Sequence, residues 1–88
     1  MISGLHKPIR VGAVFEIGLL KPVWIDINGK KIVVKNIFYK WIEKFAYYYI
    51  LKFSLSDEDN IIYEIEFDPI NITWHLNAYA EAGEGFRS

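Results

Sequence analysis

Apolar and polar positions alternate along most of this chain. Between Arg10 and Leu19, Val11, Ala13, Phe15, Ile17 and Leu19 fall on one side, and Gly12, Val14, Glu16 and Gly18 on the other. A period of two sends successive side chains to opposite faces of an extended backbone, so the segment predicts a strand. Lys21-Pro22 interrupts it, since proline cannot donate to a ladder. Val23, Ile25 and Ile27 then share a face, and Asn28-Gly29 follows. Asn-Gly between two alternating runs predicts a two-residue hairpin, because a type I′ turn needs positive φ at both central residues. The next strand begins at Lys30, with Ile32 and Val34 opposing Lys31, Val33 and Lys35. Its phase shifts near Asn36, which predicts a bulge there. Beyond it, Ile37, Tyr39 and Trp41 oppose Phe38, Lys40 and Ile42.

The stretch YKWIEKFAYYYILKF, residues 39–53, has two readings. In a helix, Trp41, Phe45, Tyr48 and Tyr49 would share a face with Lys52. As strands, it divides near Glu43-Lys44-Phe45. Aromatic and β-branched enrichment favours strands, and so do the strands on either side. A central strand over 46–55 then places Tyr49, Leu51 and Phe53 in the core, with Tyr48 and Lys52 on the opposite face. SDEDN (56–60) reads as a solvated turn. Ile61, Tyr63, Ile65 and Phe67 alternate cleanly with Ile62, Glu64, Glu66 and Asp68. DPIN (68–71) carries Pro at the second turn position, where a fixed φ helps. Trp74, Leu76 and Ala78 alternate with Thr73, His75, Asn77 and Tyr79 in a last strand, and residues 80–88 have no period and read as a flexible tail.

The expected fold is a single all-β domain over residues 1–88, with its ordered core at about residues 10–79. It is a small antiparallel barrel or sandwich of five to six strands in meander order. Composition agrees: 52% of the 88 residues are hydrophobic and 17% aromatic, which supplies the apolar area a small domain must bury. There is no cysteine, which excludes disulfides and thiolate chemistry. No apolar run reaches the ~18 residues of a spanning helix, and the first residues lack the apolar core of a signal peptide. A cytoplasmic protein with no membrane partner is the expectation.

Net charge is −1, but it is unevenly spread. Residues 21–52 carry seven Lys against Asp26 and Glu43, and residues 53–88 carry eight carboxylates against Arg87. Basic strands facing acidic ones within one sheet account for this. A dipolar surface for a charged partner, or for self-association, is the alternative.

Pro22-Val23-Trp24, Asn28-Gly29-Lys30, Val34, Ile37, Trp41 and IIYEIEFDPINITWHL (61–76) together resemble a family of short, mostly bacterial proteins of unknown function. That family shares a proline–aromatic–glycine–basic start, a central Trp and an ending of the kind Tyr-Glu-Leu, Asp, Trp-x-Leu. The resemblance spans residues 10–79. This chain differs in having Lys where the family has Arg in a basic hairpin, and in its richness in Ile. Some relatives are encoded near translesion-synthesis genes, so the resemblance implies a role around DNA. It implies no catalytic residues.

The chemistry-bearing residues are few. Two histidines, His6 and His75, and no Cys do not support a tetrahedral zinc site, and His75 reads as an ordinary strand residue. Asp57, Asp59 and Asn60 open like a calcium loop but lack its glycine and distal Glu. Glu64, Glu66 and Asp68 lie about 7 Å apart on one strand face, a spacing compatible with acid–base work but commoner on a wet strand face. No cofactor, metal site or catalytic set is expected. Trp24, Lys35, Phe38, Lys40, Tyr48 and Lys52 form the candidate binding face, opposite the expected core. Such a face fits a protein partner or self-association. It also fits single-stranded nucleic acid, which small barrels hold by stacking bases on aromatics beside Lys. The expected function is a non-catalytic interaction module, with nucleic-acid binding second and a small enzyme third.

Overall fold

The computed structural model describes residues 4–81, which form seven strands and no helix. They are β1 (Lys7–Glu16), β2 (Leu19–Ile27), β3 (Lys30–Val33), β4 (Asn36–Lys44), β5 (Tyr49–Ser56), β6 (Ile61–Asp68) and β7 (Thr73–Glu81). All pairings are antiparallel, and the order across the sheet is β3-β2-β1-β7-β6-β5-β4. Taken as a ring, this is a plain meander in which only the β3–β4 ladder is missing. The sheet curls into a half-barrel with β3 and β4 as its two edges.

The core lies on the concave face. Ile25, Leu55 and Ile65 are wholly buried, with Phe53, Tyr63 and Leu76 beside them, and Trp74, Ile37 and Leu51 pack against this group. The ladder explains the set. Phe53 stands opposite Ile65, and Ile65 opposite Leu76, so one row of apolar side chains crosses three strands. Directly paired residues share a face.

Seven strands replace the expected five to six because the one bulged strand expected from Lys30 through Ile42 is two, β3 and β4, parted at Val34-Lys35. The boundary between the first two strands is also displaced. Ile17-Gly18 is a turn, with Glu16 paired to Leu19 and Gly18 at φ +72°. Gly18 counts as one more polar position in an alternating run, yet it supplies the positive φ that ends the strand. Lys21-Pro22, expected as a break, lies inside β2. The register skips there from Ala13↔Pro22 to Gly12↔Trp24, leaving Val23 as a bulge. A proline at a bulge costs no ladder hydrogen bond.

Asn28-Gly29 forms the expected hairpin. Both residues have positive φ, 54° and 85°, and the Gly29 N–H donates to Asp26 Oδ1 at 2.9 Å. YKWIEKFAYYYILKF is a β-hairpin rather than a helix. Lys44 pairs with Tyr49, and the Phe45 N–H donates to the Tyr48 carbonyl at 2.8 Å. Leu51 and Phe53 face the core as expected. Tyr49, at the end of β5, is exposed instead.

Two bulges reset the faces. One, the bulge expected near Asn36, lies at Phe38, so Ile37 pairs with Leu55, Tyr39 with Ser54 and Lys40 with Phe53. The other lies at Asn77, between Leu76↔Ile65 and Ala78↔Glu64. Beyond it Tyr79 pairs with Tyr63 and Ala78 with Glu64, yet Ala78 is buried and Tyr79 exposed, as their alternation predicts. Ala80 is buried in β7 and Glu81 ends that strand. The rest of the expected tail lies outside the described residues.

SDEDN is not simply solvated. Asp57 is buried and organises the β5–β6 turn. Its Oδ1 accepts from the N–H groups of Asp59 and Ile61, at 2.8 and 3.0 Å, and its Oδ2 accepts from the Tyr63 hydroxyl at 2.8 Å. Burial, then the Asp57 hydrogen bond and charge, push the Tyr63 pKa well above its ordinary 10.0.

Candidate interaction cleft

The missing β3–β4 ladder leaves a seam in the barrel. At one end Val34 and Lys35 fasten it: the Val34 N–H donates to the Val23 carbonyl of β2 at 3.0 Å, and the Lys35 N–H to the Ser56 carbonyl of β5 at 2.8 Å. Past this clasp the edges part. β4 packs on β5 alone among the described strands. The seam opens toward the β1–β2 and β4–β5 hairpin tips as a cleft of about 460 Å³. Phe15, Leu19 and Leu20 line one wall, and Lys40, Trp41, Ile42, Leu51 and Phe53 the other. Nearer the clasp, Lys21, Phe38, Tyr39 and Lys40 flank it.

Local sequence builds both walls. The Gly18 turn folds β2 back so that Leu19 and Leu20 border the opening. The Phe38 bulge puts Lys40 and Ile42 in line with Phe53 and Leu51, on the concave side at the rim of the core. Phe15, Phe38, Tyr39 and Ile42 are each at least half exposed. Exposed apolar residues gathered along an unpaired strand mark an interaction surface.

The six residues expected to form one face are not brought together as one. Phe38 and Lys40 border the cleft. Lys52 reaches the same opening, but its Nζ lies 3.2 Å from Glu43 Oε1 and its side chain is largely buried. Its charge is neutralised within the protein. Lys35 is an exposed residue of the clasp. Tyr48 sits at the β4–β5 hairpin tip with its ring stacked on Phe45, centroids 4.7 Å apart. Trp24 is away from the cleft and half-buried, lying across Gly12 with the Lys31 ammonium 4.9 Å from its ring centroid.

The expected pairing of basic with acidic strands holds in register but not in contact. Lys52 stands opposite Glu66, yet its ammonium bonds Glu43. Glu66 is engaged by Asn77 and His6 instead. His6, Glu66 and His75 form a cluster with potential metal ligands within 4.8 Å of one another. Cleft residues missed from the sequence include Tyr39, Trp41 and Ile42 of β4, and Phe15, Leu19 and Leu20 across from them. The signal that could have found Phe15, Leu19 and Leu20 is Gly18, as a turn between two apolar runs.

No helix among the described residues is long and apolar enough to cross a membrane. Comparison with protein-family models, with curated proteins and with solved structures finds no match.

Proposed function

We propose that the protein is a non-catalytic polypeptide-binding module, which takes an extended acidic segment of a partner against the free edge of β4. The observation that carries this reading is the unpaired nine-residue edge of β4, bordering an apolar cleft. An added strand gains main-chain hydrogen bonds from the edge, and the cleft receives its alternate apolar side chains. Charge selects the occupant. Lys21 and Lys40 flank the opening, Lys44 lies on the same edge strand, and Glu16 is the one cleft-lining carboxylate. Two copies meeting cleft to cleft would set lysines against lysines, which disfavours a symmetric dimer here. A partner rich in Asp or Glu meets complementary charge.

Single-stranded nucleic acid is the second reading. Its support is the β4–β5 tip, where Tyr47 is almost wholly exposed beside the stacked Phe45 and Tyr48, next to Lys44. It is the weaker one because Lys52 is spent on Glu43 and Trp24 on Gly12 and Lys31.

The test is fluorescence anisotropy with labelled peptides of about ten residues, the length of a long strand. One peptide alternates Val with Glu, and the other Val with Lys. Oligothymidylate serves as a third probe. The proposal expects binding of the Val-Glu peptide alone, weakened about ten-fold or more by Lys40→Glu or Ile42→Asp, equivalent to at least ~1.4 kcal/mol. Binding of the oligonucleotide and of neither peptide would replace it with the second reading.

A further inference from the structure

We propose that His6, Glu66 and His75 form a binding site for one borderline divalent transition-metal ion, of the zinc, nickel or copper(II) type. The site is on the convex face, away from the cleft, and is independent of peptide binding. Glu66 and His75 are directly opposite each other in the β6–β7 ladder, and Pro8 is opposite His75 in the β1–β7 ladder. The Leu5 N–H donates to the Asn77 carbonyl at 3.0 Å, which draws the segment before β1 alongside β7. His6 is thereby set over His75. The rings are stacked, with centroids 4.0 Å apart and planes 8° from parallel. His6 Nε2 lies 3.5 Å from Glu66 Oε2.

Three observations point beyond an ordinary ion pair. The donor set is two imidazoles and one carboxylate, each offering a ligand atom within 4.8 Å of the others. Nitrogen-rich sets of this kind suit zinc, nickel and copper(II), whereas calcium and magnesium take oxygen ligands. Glu66 is also oriented: Asn77 Nδ2 donates to its Oε1 at 2.5 Å, leaving Oε2 turned to His6. Such outer hydrogen bonds hold a ligating carboxylate in place. Finally, His75 Nδ1 is buried with no hydrogen-bond partner among the described residues. A buried polar atom left unpaired is costly. An ion pair between His6 and Glu66 leaves that cost unexplained, and a ligated ion removes it.

The lone pairs of parallel rings cannot converge on one ion, so binding must turn one ring. His6 can turn, because its side chain is 65% exposed and precedes β1. His75 is held in β7. The ion would then draw the start of β1 onto β6 and β7. Three protein ligands leave further positions to water.

The test is isothermal titration of tag-free protein with ZnCl2, and with CoCl2 followed by visible absorption. The expected result is one equivalent bound, with cobalt bands shaped by nitrogen and oxygen ligands. His6→Ala and Glu66→Gln, with unchanged circular dichroism, each weaken binding about ten-fold or more. Lowering the pH from about 7.5 to about 5.5 also weakens it, because protonated imidazole cannot ligate. No heat and no bands with the parent protein at ~100 μM metal, far above the range of a specific three-ligand site, would overturn the proposal. Undiminished binding in both variants would overturn it equally.

Discussion

Gly12 and Trp24 face each other across the β1–β2 ladder, and the indole occupies the space a side chain at Gly12 would need. A methyl there would lie 2.1 Å from Cε2 and Nε1 of Trp24. The glycine is therefore the bed of the tryptophan, which in turn carries the Lys31 ammonium on its ring. Trp24 reads in the sequence as a ligand-stacking residue, but here it covers a bare stretch of backbone, as aromatic residues do beside glycines in sheets.

Gly12→Ala is expected to destabilise the fold by about 1–3 kcal/mol, the usual cost of overpacking. The same change in a Trp24→Ala background should cost much less, because the clash is with the indole. Urea denaturation of the four proteins gives the cycle. Equal costs in both backgrounds would mean that Trp24 does not lie over Gly12.

The turn at Asn28-Gly29 gives the next expectation. Gly29→Val puts a β-branched residue at φ +85°, a conformation costing about 1–3 kcal/mol outside glycine. In a domain of this size each kcal/mol lowers the melting temperature by about 4–8 °C. An unchanged midpoint would contradict the type I′ geometry.

Much of the fold is legible in the sequence, for identifiable reasons. Ile61–Phe67 alternates because β6 has one face on the core and one on solvent, so burial and pattern coincide. Asn28-Gly29 is legible because its turn type needs those two residues. The Ile17-Gly18 turn is not, since its glycine falls in phase with the strand it ends. The bulge at Asn77 is invisible for a related reason, and the one near Asn36 shows only as a shift of phase that does not fix it at Phe38. A bulge adds one residue to one strand, and only the partner strand's register reveals it. That one residue decides whether Lys40 sits at the rim of the core beside Phe53 or on the far face. The candidate site is harder still. Phe38 and Lys40 were named from the sequence, but Phe15, Leu19 and Leu20 reach them only through curling of the sheet. His6 and His75 are 69 positions apart and meet only through the β1–β7 ladder.

Asp57 and Tyr63 provide a stability test with a pH signature. Asp57→Ala removes the acceptor for two N–H groups and one buried hydroxyl, and is expected to cost roughly 2–4 kcal/mol. The Tyr63 pKa is raised in the folded state, by burial first and Asp57 second. Its neutral form is thus the one that folding favours. The stability this represents is complete below the unfolded value of 10.0 and is lost as pH rises from there toward the higher folded value. Melting temperature should accordingly fall above about pH 10 in the parent protein, and fall less steeply in Tyr63→Phe. Parallel profiles for the two proteins would mean that Tyr63 is not held neutral by its surroundings.

The central claim is that the free edge of β4 receives a partner strand, and backbone hydrogen exchange on β4 tests it most directly. Exchange is followed amide by amide in the free protein and at saturation with the Val-Glu peptide. The account predicts that amides within Phe38–Lys44 slow by about ten-fold or more, as expected for groups newly paired in a ladder, while those of central β7 stay unchanged. Peptide binding that protects another surface and leaves β4 exchanging as before would contradict it.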